Sequence, residues 1–423
     1  MQISPFLSQK IRFWSFVSML CLVFVHGYNM MQTYLQAWTV PFEPLSPTTF
    51  TEYFIANGIL RFRIPMLFAI SGFFFALDKR SNGARFLRRM QTLGIPYFLW
   101  AAIAIGITAL IESTSWVGCN AVEGCWLGPF GPYSVAQGTK DEWIAGLTFN
   151  PVAFQLWFLR SLLQICFYYF VIDGIGNLMR KRGWLEPEKK GVHTVLSILK
   201  WISISLMIFL WFIPGDLIFY LVQGDNGNGR MNPVMGILIT LFGDDGLLPF
   251  TIGVWYARRG IPALPPLRIP VWIWGVLWVG LAAGKSLLAL WFTQPGEWVF
   301  FTLLGLHKLT IFTGLIFAWY GMDGLVRRCM NWKSFVWASS FSFIIYALHV
   351  PLLNYTMKAA EQQLPQFYGY RFTEYIGVSS LIIVFCILVG WLLRSTMPTV
   401  YGILTGGRGL EKREREAKGQ VVG

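Results

Sequence analysis

The strongest constraint on this chain is a series of ten long apolar segments, each close to the length that crosses a lipid bilayer. They cover residues 13–31, 54–77, 95–111, 152–172, 195–213, 233–255, 271–291, 300–320, 335–355 and 375–393. A helix needs about 20 apolar residues to span the hydrocarbon core, and a helix satisfies its own backbone hydrogen bonds there. The sequence therefore predicts an all-α polytopic membrane protein with about ten transmembrane helices.

The low charge of the sequence agrees with this class. Only 13% of the residues are charged, whereas soluble proteins average about 25%. The formal net charge is nevertheless +13, and in a soluble protein such a balance would suggest nucleic-acid binding. In a membrane protein it reflects the excess of Lys and Arg in cytoplasmic loops, so we expect membrane lipids and no nucleic acid among the partners.

The positions of the basic residues predict the topology. With Lys10 and Arg12 in the cytoplasm, most Lys and Arg residues between the segments fall on the same side. Both termini are then cytoplasmic, with residues 1–405 forming one transmembrane domain and residues 406–423 a polar cytoplasmic tail. A basic start before an apolar run is also typical of a signal peptide, but no small-residue cleavage site follows, so this run is interpreted as the first permanent span.

The cysteines give little functional information. The six of them include no Cys-x-x-Cys pair, so the sequence predicts neither a zinc site nor a dithiol motif, and no metal is expected. Cys119 and Cys125 share the outer loop formed by residues 112–150. Two alternatives remain open for them, a local disulfide on the oxidising side of the membrane or two unpaired thiols.

Ionisable side chains inside the apolar segments are the main functional signal. A charged side chain at mid-bilayer costs roughly 2.5–3.5 kcal/mol, so such residues usually face a protein cavity. Counting along the segments places seven of them in one outer layer, namely His26, Arg61, Arg63, Arg160, Lys285, His307 and Lys308. We predict a shared cavity that holds water or an anion. For a single residue near a helix end, snorkelling of the side chain to the interface is the alternative.

Two acidic residues lie at mid-depth of the sixth apolar segment. Asp244 and Asp245 form the centre of a Gly-Asp-Asp-Gly sequence. This sequence is either a helix break that lines the same cavity or a loop between two short helices.

Two histidines within the apolar segments receive different interpretations. A neutral imidazole at His26 can accept a proton from a hydroxyl, although a histidine with a packing role only is the alternative. His349 comes two residues before Pro351, which has no backbone N–H and so leaves a carbonyl free. We therefore predict a structural hydrogen bond for His349.

A cluster of arginines precedes the third apolar segment. Arg85, Arg88 and Arg89 are three and four residues apart, so they share one side of a helix. Guanidinium groups suit phosphate oxygens, and the cluster could bind a nucleotide-bearing donor at the cytoplasmic side. The alternative is an ordinary positive-inside anchor.

Five stretches together resemble the integral-membrane acyltransferase family 3. They are His26 in the first segment, FRIPMLFAISGFFFAL (62–77), an Arg-rich helix running into LGIPYF (93–98), QLWFLRSLL (155–163) and SSFSFIIYALHVPLL (339–353). The resemblance covers the whole chain in order. Within the family, Arg63 and the LGIP turn look most similar to the succinyltransferases of periplasmic glucans.

The resemblance implies a membrane O-acyltransferase, in a multi-pass protein of a bacterial inner membrane. The acyl group, succinyl or acetyl, would pass from a cytoplasmic acyl-CoA to a hydroxyl of a periplasmic or surface glycan, with His26 as general base and Arg63 stabilising the oxyanion. The family's Arg-x-x-Arg motif, which holds the CoA phosphates, aligns with Arg89 and Thr92, so its second arginine is absent. Arg85 and Arg88 have the same spacing one turn earlier.

The outer basic layer adds one hypothesis about the substrate. So many cations would repel one another in an empty, dry cavity, so we expect an anionic acyl group or acceptor. Substrate contacts are therefore expected from Arg61, Arg160, Lys285, His307, Lys308, Asp244 and Asp245. The alternative function is a glycan or glycolipid transporter with a basic central cavity, although the sequence shows no repeated halves with paired broken helices, which many transporters have.

Overall fold

The computed structural model of the chain describes residues 3–28, 45–114, 135–148, 151–184, 186, 190–212, 246–259, 268–291, 297–366 and 369–410. In these ranges all regular secondary structure is helical, which confirms the all-α class. Eight of the described helices are long and apolar enough to cross a membrane, and one pair bent by 63° brings the number to nine. The predicted segment 233–255 lies largely outside the described residues, and the orientation of the termini stays a prediction.

The helices are numbered here in chain order. They are α1 (Pro5–Tyr28), α2 (Pro47–Leu77), α3 (Asn82–Ser113), α4 (Lys140–Thr148), α5 (Phe154–Lys181), α6 (Lys190–Phe212), α7 (Leu247–Arg258), α8 (Val271–Trp291), α9 (Glu297–Gly321), α10 (Asp323–Met330), α11 (Lys333–Ser339), α12 (Ser342–Gln363), α13 (Tyr370–Thr396) and α14 (Pro398–Thr405).

The chain divides into two compact units. The smaller unit comprises Ile64–Gln91 and Phe158–Ala263, and the larger unit comprises Gln2–Arg63, Thr92–Trp157 and Leu264–Gly423.

In the larger unit, α1 is fixed by aromatic packing along its length. The Trp14 ring meets Phe62 edge to face with centroids 5.5 Å apart, and Phe13 stacks on Phe335 at 5.6 Å. Near the C-terminal end of α1, a Cβ added at Gly27 would overlap the Ser379 hydroxyl on α13. Glycine therefore allows the helix turn that carries His26 to lie close to α13.

Helix α2 changes its winding in the segment that leads to Arg63. Phe54–Gly58 forms a π-helical turn and Ile59–Phe62 a 3-10 turn before regular α-helix resumes. A Cβ added at Gly58 would lie 2.9 Å from the Cβ of Ala282 on α8, so glycine allows close contact here. π-Bulges are frequent at functional sites, and this one sets the positions of Asn57 and Arg63.

Helix α12 is interrupted just after His349. Val350 has φ −105° and ψ 133°, and Pro351 follows it. Because proline has no N–H, the carbonyl of Ala347 lacks its helical donor. The side-chain amide of Gln155 fills that role with a hydrogen bond of 3.1 Å to the Ala347 oxygen and one of 3.4 Å to the Val350 oxygen. The break is therefore held in place by the start of α5.

Candidate active site

The His26 ring is the centre of the candidate site in the larger unit. The residue is 6% exposed, and its Nδ1 lies 2.9 Å from Nε2 of His349. The ring centroids are 5.1 Å apart and the ring planes are inclined by 20°, so the two rings meet edge to edge. The Phe154 ring packs on His26 with a centroid distance of 4.7 Å. Among the described residues the second ring nitrogen of His26, Nε2, has no hydrogen-bond partner.

His349 is fully buried and makes a second hydrogen bond. Its Nδ1 lies 2.9 Å from the carbonyl oxygen of Ile345, one helical turn earlier. The predicted structural hydrogen bond of His349 is thus present, while the carbonyl that Pro351 leaves free is bonded by Gln155. Sequence reasoning missed the His26 pairing since the two histidines are 323 positions apart.

Arg63 is buried with part of its guanidinium unsatisfied. The residue is 2% exposed, and its Nη1 donates to the Leu60 carbonyl oxygen at 3.1 Å. Its Nε has no hydrogen-bond partner among the described residues. Arg63 lies within electrostatic range of His26 and His349. A guanidinium with a free N–H in such a place can donate to an oxygen that acquires negative charge.

Lys285 and His307 form a second buried pair. Lys285 is completely buried, and its Nζ lies 3.0 Å from Nδ1 of His307 and donates to the Asn57 carbonyl oxygen. The Tyr53 ring covers the ammonium with its centroid 5.5 Å away. Within the described parts of the chain, no carboxylate forms a salt bridge with Lys285.

Arg61 and Lys308 belong to the same larger unit. Arg61 is half-buried and donates from Nε to Oδ1 of Asn57 at 3.1 Å, and its Nη2 donates to the same oxygen. Lys308 is 3% exposed. Arg61 lies within electrostatic range of both His26 and His307. The structure therefore brings these cations and the two histidines into one electrostatic neighbourhood.

The remaining residues of the predicted outer layer are placed differently. Arg160 lies in the smaller unit and is half-buried on α5. Asp244 and Asp245 lie outside the described residues, as do Cys119 and Cys125.

The arginine cluster also lies in the smaller unit. Arg85 is buried and forms a salt bridge of 2.7 Å to Asp173, whose other oxygen is 3.0 Å from Arg258. The Phe75 ring stacks under both Arg85 and Arg89. Nε of Arg89 has no hydrogen-bond partner in the described part of the chain. Asp173, which sequence reasoning missed, thus already pairs with Arg85.

Arg12 on α1 makes two hydrogen bonds to α11. Its Nε donates to Oγ of Ser339 at 2.8 Å, and its Nη2 donates to the Val336 carbonyl oxygen. These bonds join α1 to α11.

The geometry supports proton transfer and anion stabilisation without a metal ligand set. The described residues contain no group of three or more His, Cys, Asp or Glu side chains that could hold a metal ion. A buried imidazole with one unbonded nitrogen can take a proton from a hydroxyl, and the nearby guanidinium can stabilise an oxyanion. Both are requirements of acyl transfer to an alcohol.

The comparisons with known proteins agree with that chemistry. No curated protein and no solved structure matches this chain. Residues 11–394 match the family model Acyl_transf_3, described as an acyltransferase domain. That match covers nearly all of the sequence, including every described helix from α2 to α12. The chain therefore belongs to the membrane acyltransferase family 3.

Proposed function

We propose that this protein is an O-acyltransferase that moves an acyl group from acyl-CoA to a hydroxyl of a periplasmic or surface glycan. The observation that carries the proposal is the buried imidazole of His26, bonded through Nδ1 and without a described partner at Nε2. General bases in catalysis must reach the proton they abstract with an unbonded lone pair. Membership in an acyltransferase family supplies the reaction class.

The chemical step follows from these groups. Nε2 of His26 takes the proton of the acceptor hydroxyl as the hydroxyl oxygen bonds to the thioester carbonyl carbon. Arg63 stabilises the tetrahedral oxyanion through its unsatisfied N–H, an interaction often worth 10²–10³ in rate. The C–S bond then breaks, the ester remains on the glycan, and the proton on His26 passes to the leaving CoA thiolate.

The donor is proposed to bind through its phosphates. Guanidinium groups suit phosphate oxygens, and the Arg85, Arg88 and Arg89 cluster supplies three of them on one helix. Because Asp173 already pairs with Arg85, phosphate binding would depend mainly on Arg88 and Arg89. The phosphates cannot enter lipid, so donor binding would hold them at these arginines.

The acyl group or the acceptor is proposed to be anionic. Lys285, His307 and Arg63 are buried in one electrostatic neighbourhood, and a bound carboxylate or phosphate would neutralise their charge. Succinyl-CoA is the donor that fits this requirement best, and acetyl-CoA with an anionic acceptor is the other case. Arg61 and Lys308, in the same unit, would add to substrate binding.

The decisive experiment compares two histidine variants in purified protein reconstituted into liposomes. His26→Gln should lower the rate of acyl transfer by about 10²–10⁴-fold, the usual contribution of a general base. His193→Gln, at an exposed histidine on α6, is the matched control and should leave the rate unchanged. Undiminished transfer by His26→Gln would overturn the proposal. Glycan transport that persists in this variant, without any acylation by the parent protein, would favour the transporter alternative.

The acceptor and the acyl group are identified by mass spectrometry of cell-surface glycans. We expect glycans from cells with the gene to carry an added succinyl or acetyl mass that is absent from cells lacking it. Identical glycan masses in both cells would argue against a glycan acceptor.

A further inference from the structure

The hydrogen bonds of His349 determine which of its ring nitrogens carries the proton. Nδ1 of His349 lies 2.9 Å from the Ile345 carbonyl oxygen. A carbonyl oxygen can only accept a hydrogen bond, so the proton of the neutral ring must be on Nδ1. Nε2 of His349 then has a lone pair and can only accept.

That assignment determines the tautomer of His26 in turn. Nε2 of His349 lies 2.9 Å from Nδ1 of His26, so Nδ1 of His26 must be the donor and carry the proton. The neutral His26 ring then has its lone pair on Nε2. Histidine in water favours the opposite tautomer, in which Nε2 is protonated and cannot act as a base.

The residues around His349 hold its ring in the orientation that makes these two hydrogen bonds. His349 is fully buried and precedes the break at Val350. The Gln155 amide bonds the carbonyls of Ala347 and Val350, and the Tyr346 hydroxyl donates to the Gln155 carbonyl oxygen at 2.8 Å. The neighbouring Phe154 packs on the His26 ring. The start of α5 thus packs on His26 and bonds the backbone on either side of His349.

We propose that His349 is a positioning residue that holds His26 in the tautomer with an unprotonated Nε2, through the bonded series from the Ile345 carbonyl to His349 to His26. The proposal rests on the proposed role of His26 as general base. It differs from a packing role for His349, because packing would require the shape of the ring and not its accepting nitrogen.

Two substitutions separate these roles by the atom they retain. In His349→Gln the side-chain oxygen reaches the place of Nε2 and can still accept from Nδ1 of His26. In His349→Asn the amide reaches only the place of Nδ1, so the bond to Ile345 is retained and the acceptor for His26 is lost. Both replacements are polar and smaller than histidine, but asparagine leaves the larger cavity. A packing role therefore also predicts the larger loss of stability for His349→Asn, and it is the protonation of His26 that separates the two roles.

The direct readout is ¹⁵N NMR of histidine-labelled protein in detergent, with the ring kept neutral. The chain has only four histidines, and His26→Gln identifies the signals of His26 by their disappearance. We expect unprotonated Nε2 at His26 in the parent protein and in His349→Gln, and a shift toward protonated Nε2 in His349→Asn. A protonated Nε2 at His26 in the parent protein would overturn the proposal.

Acyl-transfer kinetics supply the second readout. We expect His349→Asn to lower kcat at least tenfold with little change in KM, and His349→Gln to recover most of the loss. Equal kcat values for the two variants would overturn the positioning role. Full activity of His26→Gln would instead overturn the proposed function, while the NMR result would still decide the tautomer.

Discussion

Nζ of Lys285 and Nδ1 of His307 lie 3.0 Å apart in the interior of the larger unit, and the Lys285 nitrogen also donates to the backbone carbonyl of Asn57. Neither partner is anionic. Burying a charge without an opposite charge lowers the free energy of unfolding, so this pair destabilises the membrane-spanning helices that hold it. An anionic substrate group bound beside the pair would supply the opposite charge, which gives a functional reason for the arrangement.

Removing the Lys285 ammonium should therefore weaken binding of an anionic donor selectively. We expect Lys285→Met to raise KM for succinyl-CoA about tenfold or more, because charge-assisted hydrogen bonds contribute roughly 1.5–3 kcal/mol. KM for acetyl-CoA should change little. The measurement is a pair of initial-rate series with the two donors. Lys200→Met, at an exposed lysine on α6, is the control, and equal losses with both donors would exclude recognition of the acyl carboxylate.

Arg63 should act on the rate of the chemical step. We expect Arg63→Gln to lower kcat by about 10²–10³ without a comparable change in KM, because an oxyanion donor acts mainly in the transition state. Arg63→Lys retains the charge but not the planar fork and should give an intermediate kcat. Arg61→Gln is the comparison, since a residue that binds substrate changes KM first. A higher KM with unchanged kcat in Arg63→Gln would assign Arg63 to binding.

The arginine cluster is tested with a donor that has no nucleotide. We expect Arg88→Gln and Arg89→Gln to raise KM for acyl-CoA about tenfold, because each removes a charged partner of phosphate. KM for the matching acyl-pantetheine, which lacks the phosphates, should stay the same. Arg180→Gln, at another arginine of the smaller unit near the end of α5, serves as the control. A parallel increase for both donors would show that these arginines act on folding and not on the phosphates.

The helical class and most spans were predictable because apolar length alone determines them. The prediction for 271–291 coincides with α8, and the one for 375–393 lies inside α13. The first and last residues of the helices were predicted less well where polar residues extend a helix beyond its apolar segment. Helix α3, for example, begins at Asn82, thirteen positions before its predicted apolar segment, and includes the arginine cluster.

The contacts within the candidate site were harder to predict because they join distant parts of the sequence. Pro351 correctly indicated a free carbonyl, but nothing local shows that Gln155 would bond it and leave His349 for His26. A search for pairs of histidines within predicted spans would have raised that pairing. Asp173 was missed for a related reason, since it follows the apolar run of α5 and is 88 positions from Arg85.

Close helix packing in the smaller unit gives a prediction about stability. The sequence places the small residues Ser71 and Gly72 within α2, and small residues allow membrane helices to approach closely. In the structure, a Cβ added at Gly72 would overlap the Phe250 carbonyl oxygen on α7 and lie 2.8 Å from the Phe250 carbonyl carbon. The obstacle is backbone, which a side-chain rotation cannot relieve, so α2 and α7 would have to separate.

We expect Gly72→Ala to destabilise the protein by about 1–3 kcal/mol, the usual cost of overpacking, and to lower its thermal unfolding midpoint in detergent. Gly176→Ala is the matched control, because Gly176 lies in the same unit on α5 and an added Cβ there meets nothing within 4 Å. That variant should be neutral or slightly more stable, since alanine is favoured over glycine in helices by roughly 0.5–1 kcal/mol. Equal midpoints for the two variants would mean that α2 and α7 do not require glycine at their closest approach.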